Sequence, residues 1–117
     1  MSVYTLYHNP RCSKSRQTLQ LLKERGISPE IVLYLENTPD AQTLKGLLSK
    51  LGISARQLLR KGEAEYKERG LADEALSEAA LIDAMVEAPK LIERPIVVRG
   101  DRAVLGRPPE NVLALID

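Results

Sequence analysis

Val3-Tyr4-Thr5-Leu6-Tyr7-His8-Asn9-Pro10-Arg11-Cys12-Ser13-Lys14-Ser15-Arg16 carries the chain from a short strand into a helix, and the only cysteine stands at the junction. Residues 3–7 are mostly β-favouring types and predict a strand. The amphipathic stretch from Gln17 to Arg25 predicts a helix. Cys12 or Ser13 lies near its cap, Leu19 and Leu22 share a face, and Gly26 is the stop. Ile31-Val32-Leu33-Tyr34-Leu35 is a nearly continuous apolar run, as expected of a strand buried on both faces. Strand, helix and strand make a βαβ unit with parallel strands and a right-handed crossover.

Beyond that unit the pattern turns helical. Thr38 is placed to cap and Pro39 to open a helix along Leu44, Leu47, Leu48 and Leu51, which Gly52 ends. Ser54 starts a shorter helix through Leu58 and Leu59. Glu63 to Arg69 predicts another, ended by Gly70, and Ser77 caps a last one through Leu81, Ile82, Met85 and Val86. Residues from about 38 to 89 therefore read as an all-helical insertion. Pro95-Ile96-Val97-Val98-Arg99 returns to strand character, Gly100-Asp101 turns the chain, and Arg102 to Leu105 runs back as a hairpin partner. Arg107-Pro108-Pro109-Glu110 leads into a final helix through Val112, Leu113 and Ile116. The order βαβ, all-helical insertion, ββα is the layout of an α/β, thioredoxin-like fold with a mixed sheet, in one domain over 1–117. In that fold a cis proline often opens the third strand near the redox cysteine, and Pro95 stands at the matching place.

With 117 residues, 44% of them apolar, the chain suits one domain with one core. Seventeen Lys and Arg against 16 Asp and Glu leave a net charge of +1, which argues against a nucleic-acid or membrane-surface partner. No run approaches the roughly 20 apolar residues of a membrane span, and Met1-Ser2-Val3-Tyr4 shows no signal peptide. One cysteine makes no internal disulfide and no four-cysteine zinc site, so a reducing cytoplasm and no metal are expected.

Cys12 sits where unpaired backbone N–H groups and the positive end of a helix dipole meet, with Lys14 and Arg16 within a turn. These favour the thiolate, the nucleophilic form. A lone cysteine is otherwise often a small buried apolar residue, but here the flanks are polar, cationic and turn-forming. Cys12-Ser13-Lys14-Ser15 is C-x-x-S, so an external thiol must resolve any mixed disulfide. Thr18 occupies the position where the cysteine phosphatase loop, C-x5-R, needs arginine.

His8-Asn9-Pro10-Arg11-Cys12 with Ser15-Arg16 resembles the glutaredoxin-linked arsenate reductase family, of the ArsC type. So do Leu58-Leu59-Arg60-Lys61, Leu71-Ala72, Leu81-Ile82-Asp83, Ile92-Glu93-Arg94-Pro95-Ile96-Val97-Val98 and Gly106-Arg107-Pro108, in that order. Ser13-Lys14, where the resistance enzymes carry Gly-Thr, and the end at Asp117 resemble a shorter branch. The resemblance implies Cys12 as nucleophile on arsenate, with Arg60, Arg94 and Arg107 clamping the oxyanion. Guanidinium forks suit a doubly charged tetrahedral anion, and neutralising that anion helps a thiolate attack it. His8, Ser15 and Arg16 are the thiolate-supporting candidates. His8 would act either as a cation beside the sulfur or as a bond to the loop backbone. Glutathione is the implied reductant and glutaredoxin the implied partner, with no bound cofactor.

Two other readings share these residues. A monothiol glutathione-dependent oxidoreductase acting on another substrate would use the same C-x-x-S, but a neutral disulfide needs no arginine cluster. A non-enzymatic thioredoxin-fold regulator resembles the chain in fold, yet such regulators commonly carry C-x-x-C where this chain has Ser15.

Overall fold

Strand β1 (Tyr4–Tyr7) lies inside a four-stranded sheet of order β2-β1-β3-β4, completed by β2 (Glu30–Val32), β3 (Ile96–Arg99) and β4 (Arg102–Leu105). The computed structural model describes residues 3–116, and its chain divides into two compact units, residues 1–37 with 94–117 and Thr38–Glu93.

In the first unit β1 pairs in parallel with β2, Leu6 opposite Ile31, and antiparallel with β3, Leu6 opposite Val97. β3 pairs antiparallel with β4, Val97 opposite Val104. This is the thioredoxin-like mixed sheet. Gly100, at φ 62°, supplies the left-handed turn between β3 and β4 that an L side chain resists. Helix α1 (Ser13–Glu24) crosses from β1 to β2 with Cys12 at its N-cap. Its end is closed by Gly26 N–H to Lys23 O at 3.0 Å and Ile27 N–H to Leu22 O at 3.0 Å.

The core of this unit is Leu6, Leu22, Val97, Val112 and Leu115, flanked by Leu19, Ile27 and Val104. Each such side chain contributes about 1.5–3 kcal/mol on full burial. The segment after Pro108, where a helix is expected, is a 3₁₀ helix over Pro109–Leu115. Side chains tie down its last carbonyls: Tyr4 Oη–H and an Arg99 N–H both donate to Leu115 O, and Arg102 donates to Ala114 O. Such bonds satisfy carbonyls that a helix end leaves without partners.

The strand expected over Ile31–Leu35 is shorter than its apolar run. β2 is an edge strand, Leu33 O accepts from the N–H groups of Glu36 and Asn37, and the chain turns at once. Ile31 is 44% exposed and Leu35 38%, while Tyr34 alone goes fully inside at 2%. An edge position covers less of the strand than the two-faced burial the apolar run suggests.

The second unit is helical: α2 (Ala41–Leu51), α3 (Ala55–Leu58), α4 (Ala64–Glu68), α5 (Glu78–Glu87) and a 3₁₀ turn over Pro89–Leu91. The first of these opens later than Thr38-Pro39 suggests, because the Asp40 carboxylate accepts from Thr43 N–H at 2.8 Å and caps the helix. Ser54 and Gln57 form a reciprocal capping box at α3, and Ser77 Oγ accepts from Ala80 N–H at α5. Leu44, Leu58, Ile82, Met85 and Leu91 are buried. No helix among the described residues is long and apolar enough to cross a membrane.

Candidate active site

Cys12 occupies the N-cap with extended backbone (φ −93°, ψ 123°), so its own carbonyl already accepts from Arg16 N–H at 3.0 Å. The thiol is largely sheltered, at 8% exposure. A tight turn leads into it, closed by Cys12 N–H donating to Asn9 O at 3.0 Å.

That turn is held from three sides. Asn9 Oδ1 accepts from Arg11 N–H at 3.0 Å. Arg16 Nη1 reaches back to Pro10 O at 2.9 Å, which spends one arm of the guanidinium on the loop. Ser15, fully buried in the first turn of α1, accepts from Asn9 N–H at 3.0 Å and shares a 2.6 Å hydrogen bond with His8 Nδ1. His8 is 6% exposed, and its own N–H donates to Val32 O at 2.9 Å, extending the β1–β2 pairing. Burial, and then the Arg16 charge, hold the imidazole below its ordinary pKa. A neutral imidazole is a hydrogen-bond partner for Ser15 rather than a cation beside the sulfur.

Arg94 and Arg107 come together at the other end of this unit's chain. Both peptide bonds Arg94–Pro95 and Arg107–Pro108 are cis, as the matching place of Pro95 suggests for the first. Arg107 Nε donates to Arg94 O at 3.0 Å, and Nε and Nη1 of Arg94 are shielded from solvent. Between the two arginine–proline pairs sits Gly106, whose N–H donates to Pro95 O at 2.9 Å. A Cβ on Gly106 would lie 2.6 Å from Thr18 Oγ1 and 2.8 Å from Pro95 Cγ. Thr18 is fully buried in the second turn of α1, where its hydroxyl donates to Lys14 O at 2.9 Å. Gly106 thus brings the arginine-bearing backbone directly against the helix that Cys12 caps.

Arg60 belongs to the helical unit. Its N–H donates to Leu91 O at 2.8 Å, and its guanidinium, about a quarter exposed, pairs with Glu63 and, at 3.6 Å, with Glu93. Sequence reasoning marked Arg60 but not the two carboxylates that hold it. It also passed over Thr18 and Gly106 as site-shaping residues. The glycine beside Arg107-Pro108 was the available signal, since glycine marks close backbone approach.

A thioredoxin-like sheet with a lone cysteine at the N-cap of its first helix, and two arginines that each precede a cis proline, Arg107 leaning on the Arg94 carbonyl, defines the class. The ArsC family model matches residues 7–115. The chain belongs to the ArsC family. It is 62% identical over 112 residues to the protein YfgD of Escherichia coli strain K12, covering 95% of this chain and 94% of that one. It is 48% identical to the arsenate reductase of Haemophilus influenzae, covering 95% and 97%. Among solved structures, an arsenate reductase from Vibrio cholerae superposes with a TM-score of 0.96 at 50% identity, over 97% of this chain and 98% of that one.

Proposed function

We propose that this protein reduces arsenate to arsenite through a covalent adduct on Cys12, with glutathione as reductant and a glutaredoxin to regenerate the thiol. The observation that carries this is the placement of the lone cysteine at the N-cap of α1 in a chain that also braces the Arg107 side chain on the Arg94 carbonyl.

Cys12, as thiolate, attacks the arsenic of a bound dianion, an As–S bond forms, and one oxygen leaves as water after protonation. The helix N-terminus and guanidinium groups favour anions at such a site. Arg94 and Arg107 are the clamp within this unit, and Arg60 is the third arginine that the family resemblance adds. A glutathione thiolate then attacks the Cys12 sulfur. The S–S bond forms as the As–S bond breaks, and its electron pair stays on arsenic, which leaves as arsenite. Arsenate, two thiols and two protons thus give arsenious acid, one mixed disulfide and one water. Glutaredoxin takes the glutathionyl group by thiol–disulfide exchange. The cycle needs a reducing compartment, for which the cytoplasm is suited. His8, Ser15, Asn9 and Arg16 keep the loop in shape.

Purified protein supplied with arsenate, glutathione, glutaredoxin, glutathione reductase and NADPH should oxidise NADPH in an arsenate-dependent way. Cys12→Ala should fall to background, and equal rates in the two proteins would sink the assignment.

A further inference from the structure

One cavity of the sheet-containing unit lies beside the loop that leads into Cys12. It measures about 260 Å³ and is lined by the loop from His8 to Arg11 and by Leu33, Leu35 and Glu36. Pro10, Leu33 and Leu35 make it largely apolar, and Leu35 leaves 38% of its surface to solvent there. Arg11 and Glu36 add one positive and one negative charge to the lining. Both residues are exposed, and among the described residues neither side chain makes an ion pair. Arg11 also immediately precedes the nucleophile in the chain.

We propose that this pocket seats the reductant: a small thiol carrying both a free carboxylate and a free ammonium group, the class to which glutathione belongs. The inference rests on the reading of Cys12 given above. Arg11 offers a planar fork that matches a carboxylate in bidentate fashion, while Glu36 accepts from the ammonium. The apolar wall takes the intervening methylenes. A dianionic oxyanion is the wrong guest, because Glu36 would repel it at short range. The volume falls below the roughly 300–1,000 Å³ of sites that engulf a cofactor, but it suits one arm of a tripeptide. An extended tripeptide reaches about 10 Å, enough to bring its central thiol to a sulfur that follows the pocket's own loop. The ligand's thiol then makes the S–S bond with Cys12 in the reductive step already described.

The test uses S-methylglutathione, which binds as glutathione does but cannot react. Titrated into isotope-labelled protein, it should move the amide signals of residues 8–11 and 33–36. Arg11→Gln and Glu36→Gln should each weaken the binding about tenfold, the loss of one charge-assisted hydrogen bond. In turnover each variant should raise the KM for glutathione more than it lowers kcat. Signals moving only elsewhere, no binding, or equal affinity in all three proteins would overturn the pocket. So would shifts produced by glutaredoxin alone. Arsenate-dependent NADPH oxidation by the unmodified protein with saturating glutathione, glutaredoxin and glutathione reductase is a separate arm. Its absence would overturn the arsenate reading, while the titration still decides the pocket.

Discussion

Arg107 Nε donates to the carbonyl oxygen of Arg94 at 3.0 Å, so one arginine of the proposed clamp is braced on the backbone of the other. The bond restricts rotation of the Arg107 side chain about its Nε. A fork held this way loses less entropy on meeting an anion.

Arg94→Ala and Arg107→Ala should each lower kcat/KM for arsenate by about 10²-fold or more, in the range seen when a charge-stabilising donor is removed. Alkylation of Cys12 by a neutral reagent such as iodoacetamide should change much less. Equal losses in both measurements would show that the arginines act on the sulfur instead. Arg107→Lys should recover little, because lysine lacks the Nε donor.

Gly106→Ala should cost about 1–3 kcal/mol of stability, measured by denaturant titration, since its Cβ would meet Thr18 Oγ1 at 2.6 Å. Adding Thr18→Ala removes the obstructing hydroxyl and methyl. The double variant should therefore recover part of the loss beyond the sum of the two single effects.

His8 gives a pH signature. Its folded pKa lies below the ordinary value of about 6.5. The folded protein keeps the imidazole neutral, and unfolding takes up a proton once the pH drops beneath that value. The contribution is intact above about pH 6.5 and is lost as the pH falls toward the folded pKa. Between pH 7.5 and 5.5, denaturation midpoints should fall further for the unmodified protein than for His8→Gln. An NMR titration of His8 with a midpoint above 6.5 would contradict this.

Arg60 bound to an oxyanion must loosen its hold on Glu63 or Glu93. Glu63→Gln should then lower the KM for arsenate severalfold while Arg60→Ala raises it, since charge pairing of about a quarter-exposed groups is modest. An unchanged or lowered KM for arsenate in Arg60→Ala would remove Arg60 from the clamp.

Local signals carried well into the structure. Gly26 and Gly52 end their helices, Ser54 and Ser77 cap theirs, and Gly100-Asp101 turns the hairpin. Each rests on backbone chemistry within four residues. The signals that misled needed a competitor or a neighbour to be weighed. Asp40 displaced Thr38 as cap because its carboxylate lies three residues before Thr43 and accepts from the Thr43 N–H. The apolar run at 31–35 shows no sign that its strand would lie at an edge, since strand order is set by partners distant in sequence.

The sequence by itself determined the place of Cys12, the helix boundaries near it, and the motifs Arg94-Pro95 and Arg107-Pro108. All of these are written in contiguous residues whose propensities act over a turn or less. Only the tertiary structure decided that Arg107 leans on Arg94, that Gly106 must lack a side chain to meet Thr18, and that His8 is buried beside Ser15 with its pKa lowered. Those relations join residues 7 to 88 positions apart. They exist only once burial of Leu6, Leu22 and Val97 has brought the strands and α1 together, because no local propensity encodes a distance across a core.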